Sequence, residues 1–207
     1  SNGDIVLEFE PQTELCADMN EAFSQSFTVK GVLYLMDGKT YRAVRKSSKN
    51  TVWEAVPVSG TAYVPTTTIS AAPTGGGTSY EAVNLLTPKR INTFIGDGTA
   101  TQFKVDATDL DETAVTAEVN GSAVTVSAVN RSTGLVTLAA APANGNGLAN
   151  VSIAFAKTVS GHADKINKCR FAGLYGGKND TRVFLSGNPD EPDCDWQSGL
   201  YDPTYFP

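Results

Sequence analysis

The stretch that decides the fold is Val32-Leu33-Tyr34-Leu35-Met36-Asp37-Gly38-Lys39-Thr40-Tyr41-Arg42-Ala43-Val44. Two runs rich in β-branched and aromatic residues flank an Asp-Gly pair, the strongest short-range hairpin signature, because both turn positions tolerate a positive φ. Thr51-Val52-Trp53-Glu54-Ala55-Val56 adds a third strand before Pro57, and Ile5-Val6-Leu7-Glu8-Phe9 reads as an earlier one. Glu14 to Phe23 is at best weakly helical or an irregular connection. A meander of short strands joined by Asp-Gly and Asn-Gly turns is how propeller blades and small sandwiches are built.

The same style recurs between Ile91 and Thr158. Val115-Thr116-Ala117-Glu118-Val119 precedes the turn Asn120-Gly121, and Ala123-Val124-Thr125-Val126 follows it; Val151, Ile153 and Phe155 alternate with polar or small residues. Period-two alternation sends one face inward and one outward, so this region is expected to form a small antiparallel sandwich of about six strands. At about 65 residues it lies near the lower limit for a module that folds alone. Between the two regions, residues 60–90 carry Thr66-Thr67-Thr68, Ala72-Pro73 and Gly75-Gly76-Gly77. No Gly-Lys-Ser/Thr follows the triple glycine, so it is no phosphate loop, and a flexible or extended linker is the expectation.

The last segment, 159–207, returns to the first style with strands at Asn167–Tyr175 and Thr181–Ser186. It ends in an aromatic, turn-rich stretch that calls for another surface to pack on, so the chain reads as a fragment of a longer protein. The whole is therefore expected to be all-β. A discontinuous β-meander domain (residues 3–59 plus 159–207, partly propeller-like) takes the 91–158 sandwich as an insertion, with 60–90 as the crossing region. Tyr34, Trp53, Phe171 and Phe184 are the expected core of the outer domain.

Composition narrows the function. Of 207 residues, 41% are hydrophobic and 18% charged, with a net charge of −6; this is a globular chain without the basic face that duplex binding requires. The nearest approach, Arg42-Ala43-Val44-Arg45-Lys46, reads as the solvated end of a hairpin. No apolar run approaches the roughly 20 residues that span a bilayer, and Ser1-Asn2 before Gly3 has the form of a tag remnant. Neither a nucleic-acid nor a membrane partner is expected. Cys16, Cys169 and Cys194 are odd in number, widely spaced and without a CxxC, which points to reduced thiols and leaves a Cys169–Cys194 bridge as the alternative.

Candidate chemistry is sparse. Asp106, Asp109, Asp111 and Glu112 could offer oxygen ligands to calcium, but the EF-hand spacing is missing, so a solvated turn is the expectation. Asp190, Glu191, Asp193 and Asp195 receive the same reading. His162, in Ser160-Gly161-His162-Ala163-Asp164, has no G-x-S-x-G nucleophile elbow to serve, and no carboxylate pair is framed for glycoside hydrolysis. No enzyme activity, catalytic residue, cofactor or metal is expected. Asn188, Trp196, Tyr201, Tyr205 and Phe206 remain as contact candidates: their aromatic rings suit an edge-closing pack, a subunit interface or a sugar.

Two stretches carry a resemblance. Asn179-Asp180-Thr181-Arg182-Val183-Phe184-Leu185-Ser186-Gly187-Asn188-Pro189, followed by Trp196 and Asp202-Pro203-Thr204-Tyr205-Phe206, resembles a blade motif of β-propeller structural proteins of tailed bacteriophages and prophages. Phe94-Ile95-Gly96-Asp97-Gly98-Thr99 and Val119-Asn120-Gly121 are similar to a small β module of phage tail and fibre proteins. The resemblance implies a non-enzymatic structural component of the tail or head–tail junction, with other phage structural proteins as partners. It further implies a virion location reached by assembly in the bacterial cytoplasm. A carbohydrate-binding or adhesion module with glycans as partners is the alternative.

Overall fold

The computed structural model describes residues 19–20, 22–46, 53–176 and 180–207. The expected strand Ile5–Phe9, Cys16 and most of the Glu14–Phe23 stretch lie outside the described residues. The protein is all-β. Strands β1 (Gln25–Val29), β2 (Val32–Met36), β3 (Tyr41–Lys46) and β4 (Trp53–Pro57) form an antiparallel meander in that order. A further turn links β1 to β2: Lys30 and Gly31 both adopt positive φ (49° and 77°) between the paired Val29 and Val32. This is the two-residue hairpin geometry that sequence analysis assigned to Asp37-Gly38. At Asp37 the connection is longer, four residues from Met36 to Tyr41. There the Asp37 carboxylate accepts the N–H groups of Lys39 and Thr40, at 3.0 and 2.8 Å.

The central part packs two sheets face to face. One has the order β10-β9-β13-β7-β5-β6, built from β5 (Thr66–Ala71), β6 (Thr78–Ser79), β7 (Lys89–Phe94), β9 (Thr116–Val119), β10 (Ser122–Val124) and β13 (Val151–Ala156). The other runs β11-β12-β8, from β8 (Gln102–Lys104), β11 (Val126–Asn130) and β12 (Leu135–Leu138). Their facing side chains, among them Phe94, Phe103, Val136, Ile153 and Phe155, make one buried cluster. The Asn120-Gly121 turn stands where the sequence puts it, with φ of 49° and 76° between paired Val119 and Ser122.

Every strand pair within residues 91–158 is antiparallel, as expected, and the one parallel pair among the described strands is β7 with β5, from the 60–90 region. One expectation for this part needs correction. Residues 60–90 are not a flexible linker, because they supply β5 and β6 to the six-stranded sheet. The physical reason lies in the triple glycine. Gly75, Gly76 and Gly77 all have positive φ, and a Cβ on Gly77 would stand 2.7 Å from the Ile69 carbonyl oxygen. The glycines make a tight reversal in which the backbone returns against β5, a conformation closed to other residues.

Beyond β13 the chain forms a short helix, α1 (His162–Asn167), then β14 (Phe171–Tyr175), β15 (Arg182–Ser186) and β16 (Trp196–Gln197), an antiparallel sheet in that order. This sheet shares a second buried cluster with the first meander: Tyr34, Met36, Tyr41 and Val58 join Leu86, Ile166, Val183, Leu185 and Phe206. On the inner face of the meander, Phe27, Tyr34 and Tyr41 stack at 5.4 and 5.7 Å, and Phe206 meets Tyr41 edge-on at 6.1 Å. Of the four aromatic residues expected to fill this core only Tyr34 does so. Trp53 and Phe171 are each more than half exposed, and Phe184 is only partly buried. The reason is register. In a strand one residue in two faces inward, and on β15 those residues are Val183 and Leu185, which turns Phe184 to the other face.

Candidate functional site

The five contact candidates of the C-terminal segment serve different ends. Phe206 is fully buried. Asn188 is buried too. Its Nδ2 donates to the carbonyl oxygens of Asp164 and Lys165, both at 3.1 Å, and its Oδ1 accepts the Asp190 N–H at 2.9 Å. It thereby ties the turn after β15 to the C-terminal carbonyls of the short helix α1. Trp196 pairs with Leu185 across β15–β16 and packs on the core rim. Tyr201 takes a positive φ of 52°, its N–H donates to Thr181, and the ammonium of Lys30 lies 5.7 Å from its ring. None of these four is a free surface group.

Tyr205 is different. Its ring lies 5.2 Å from that of Tyr63, tilted by 57°, and its hydroxyl donates to the Ala82 carbonyl at 3.0 Å. The Tyr63 hydroxyl donates to Glu81 at 2.9 Å, and Glu81 also accepts the Thr66 N–H. The Glu81 hydrogen bond, burial and the Glu81 charge push the Tyr63 phenol up to about 12, so it stays protonated and keeps donating. Tyr80, beside this pair, is two-thirds exposed. The result is a surface group of tyrosines around a held carboxylate. Tyr63, Tyr80 and Glu81 were not legible as contact residues in the sequence because they fall in the 60–90 stretch expected to be a linker; its two tyrosines were the available signal.

A second exposed apolar surface lies on the outer face of the last sheet. Phe171 stands opposite Ser186, Gly173 opposite Phe184, and Tyr175 opposite Arg182. Phe171, Phe184 and Tyr175 therefore share one face, with Tyr175 edge-on to Phe184 at 6.1 Å and largely in solvent. Gly187 makes room for the first ring, since a Cβ there would come within 2.4 Å of Phe171 Cδ2. Leu174 and Leu200 are also about half exposed.

The acidic clusters are spent on structure. Asp106 Oδ2 accepts the hydroxyls of Thr67 and Thr68 at 2.6 and 2.8 Å. Asp111 accepts the N–H and hydroxyl of Thr158, and Glu112 pairs with Arg131 at 2.9 Å. Asp190 and Glu191 pair with Lys168 and Lys165. Among the described residues no three His, Cys, Asp or Glu side chains gather as a metal site. His162 opens α1 and lines a cleft of about 70 Å³ with Asn84, Pro88 and Arg90, well short of the roughly 300 Å³ that ligand sites begin at. Burial, with Lys165 and Arg90 nearby, lowers its pKa. Cys169 and Cys194 are both free thiols. No protein-family model, curated protein or solved structure matches the chain.

Proposed function

We propose that the protein is a non-enzymatic structural component of a tailed-phage or prophage particle, in its tail or head–tail junction, and acts through protein–protein contacts. One observation carries the contact role: the outer face of the β14–β15 pair presents Phe171, Phe184 and Tyr175 side by side, with Phe171 and Tyr175 each more than half in solvent. Clustered aromatic side chains of this kind are what interface centres are made of. The particle context rests on the resemblance of the Asn179–Pro189 stretch and its Trp196 and Asp202–Phe206 continuation to propeller-type phage proteins. The engagement of Asn188, Asp106 and Asp111 in internal hydrogen bonds fits an architectural protein. The test is mass spectrometry of density-banded particles from the phage or induced lysogen that encodes the chain. Its peptides in fixed ratio to the major tail protein support the proposal, and particles that lack them overturn it.

A carbohydrate-binding or adhesion role is the second reading, favoured by the Tyr63–Tyr205 pair and the Glu81 carboxylate. Tyrosine faces stack on the C–H faces of sugars, and a fixed carboxylate accepts sugar hydroxyls. A glycan array distinguishes it: specific binding lost in Tyr63→Ala supports this reading, and a blank array removes it.

A further inference from the structure

Arg45, Arg131, Lys165, Lys168 and Arg182 each have a carboxylate within 4 Å. Of the other described basic residues, Arg90, Lys104 and Lys157 line one cleft of about 590 Å³ together. The Thr74–Gly76 turn forms one wall, and Ala107 and Val159 add apolar surface. The cleft is shallow and open to solvent, so a ligand there is held mainly by its charged group.

Each cation is held in place by something other than a counter-charge. Arg90 lies over the Phe155 ring at 5.9 Å, and its guanidinium gives one hydrogen bond, to the Lys157 carbonyl at 3.3 Å. A guanidinium has five N–H donors, so this single bond leaves others to take a ligand, and Arg90 lines this cleft as well as the one beside His162. Lys157 Nζ donates to the Asp109 carbonyl at 2.9 Å, which orients the ammonium without neutralising it. The stem of Lys104 packs on Gly75, where a Cβ would stand 3.2 Å from Lys104 Cγ, and the Lys104 N–H donates to Pro73. Its ammonium has no hydrogen-bond or ion-pair partner among the described residues. One acid lines the cleft: Asp106 accepts two threonine hydroxyls on Oδ2 and, with Asp111, its charge reaches Arg90, so the three cations outnumber the carboxylate in the lining.

We propose that this cleft binds an oxyanion, a phosphate or carboxylate group, carried on a sugar-sized molecule. Arg90 and Lys104 contact the anion, and Ala107 and Val159 face the carbon skeleton. Tyr63, Glu81 and Tyr205 do not line the cleft, so the site is independent of the tyrosine group and of the particle reading.

The test follows backbone and arginine side-chain NMR signals while inorganic phosphate, D-galacturonate and D-galactose are added in turn to the full chain. Saturable shifts at Gly75, Gly76 and the Arg90 Nε–H with phosphate or galacturonate, and none with galactose, are the expected result. Phosphate alone marks a phosphorylated ligand, and galacturonate alone a carboxylated one. Lys104→Gln weakens binding about tenfold, as loss of one charge-assisted contact does, and Lys89→Gln, exposed on the other face of β7, leaves it unchanged. Arg90→Gln also removes the contact with Phe155, so Lys104→Gln is the deciding variant. Equal shifts with galactose, no shifts at all, or full binding by Lys104→Gln overturns the proposal.

Discussion

The hydroxyl of Tyr41 donates to the carbonyl oxygen of Pro203 at 3.0 Å, across 162 residues of sequence. The bond is buried, and the Tyr41 ring also receives the edge of Phe206. These two contacts tie the last residues of the chain to its first meander. The Leu85 N–H donates to the Phe206 carbonyl and the Phe206 N–H to Asn84 Oδ1, so the tail is gripped from the 60–90 region as well.

Truncating Phe206→Ala should therefore cost about 3–5 kcal/mol, the range for removing a buried phenyl ring. Tyr41→Phe leaves the Pro203 carbonyl without its donor and should cost about 1–3 kcal/mol. Urea denaturation measures both. Amide exchange adds a sharper readout: Phe206→Ala should speed exchange at Leu85 and Tyr63, whose N–H groups bond to Phe206 and Thr204.

Acid should weaken the first hairpin through Asp37. Burial pulls the Asp37 carboxyl upward. The N–H groups of Thr40, Lys39 and Asn20, with the Thr40 hydroxyl, outweigh it and hold the pKa below its ordinary 3.8. A folded pKa below the unfolded one means that the contribution is complete above 3.8 and lost as pH falls through the folded value. Asp37→Asn keeps an acceptor for the turn but no longer titrates in this way. Thermal melts between pH 2 and 6 should show a shallower acid limb for the variant (about half the drop or less) if Asp37 dominates; parallel limbs would refute this role.

The triple glycine separates a folded turn from a tether. Gly76→Ala pays only for a positive φ of 79°, with no atom near its Cβ, and should cost about 1 kcal/mol. Gly77→Ala adds the 2.7 Å approach to Ile69 and should cost about 3 kcal/mol. In a flexible linker neither change would register in a calorimetric melt.

The two described thiols should differ sharply in reactivity. Burial, with Asp195 and Glu191 nearby, pushes Cys169 up to about 12, and its Sγ donates to the Lys165 carbonyl at 3.1 Å. Cys194 is exposed. Iodoacetamide at pH 8 followed by peptide mapping should label Cys194 within minutes and leave Cys169 unmodified until the protein is unfolded.

The strands were legible where a local pattern dictates them. Val115–Val119 with Asn120-Gly121, and Val151–Phe155, alternate so regularly that only one face can be buried. The Val32–Val44 hairpin was legible from its two apolar runs, although the Asp37 carboxylate stretched its loop. Local pattern could not show that Thr66–Ala71 is a strand. Thr66-Thr67-Thr68 has no apolar alternation, and its pairing with β7 is a parallel contact between separate parts of the chain. For the same reason the tyrosine group stayed hidden, since Tyr63 and Tyr205 meet only through folding.

By itself, then, the sequence determined the all-β class, the turns at Asn120-Gly121 and the strands on either side of them. Side-chain alternation and glycine conformation are properties of neighbouring residues and need no partner. Tertiary structure alone decided which face of β15 is inward, and with it that Val183 and Leu185 fill the core while Phe184 joins Phe171 and Tyr175 outside. It also decided that Arg90, Lys104 and Lys157 converge on one cleft beside Asp106. A strand can bury either face at equal local cost, and only the surface it packs against breaks that tie.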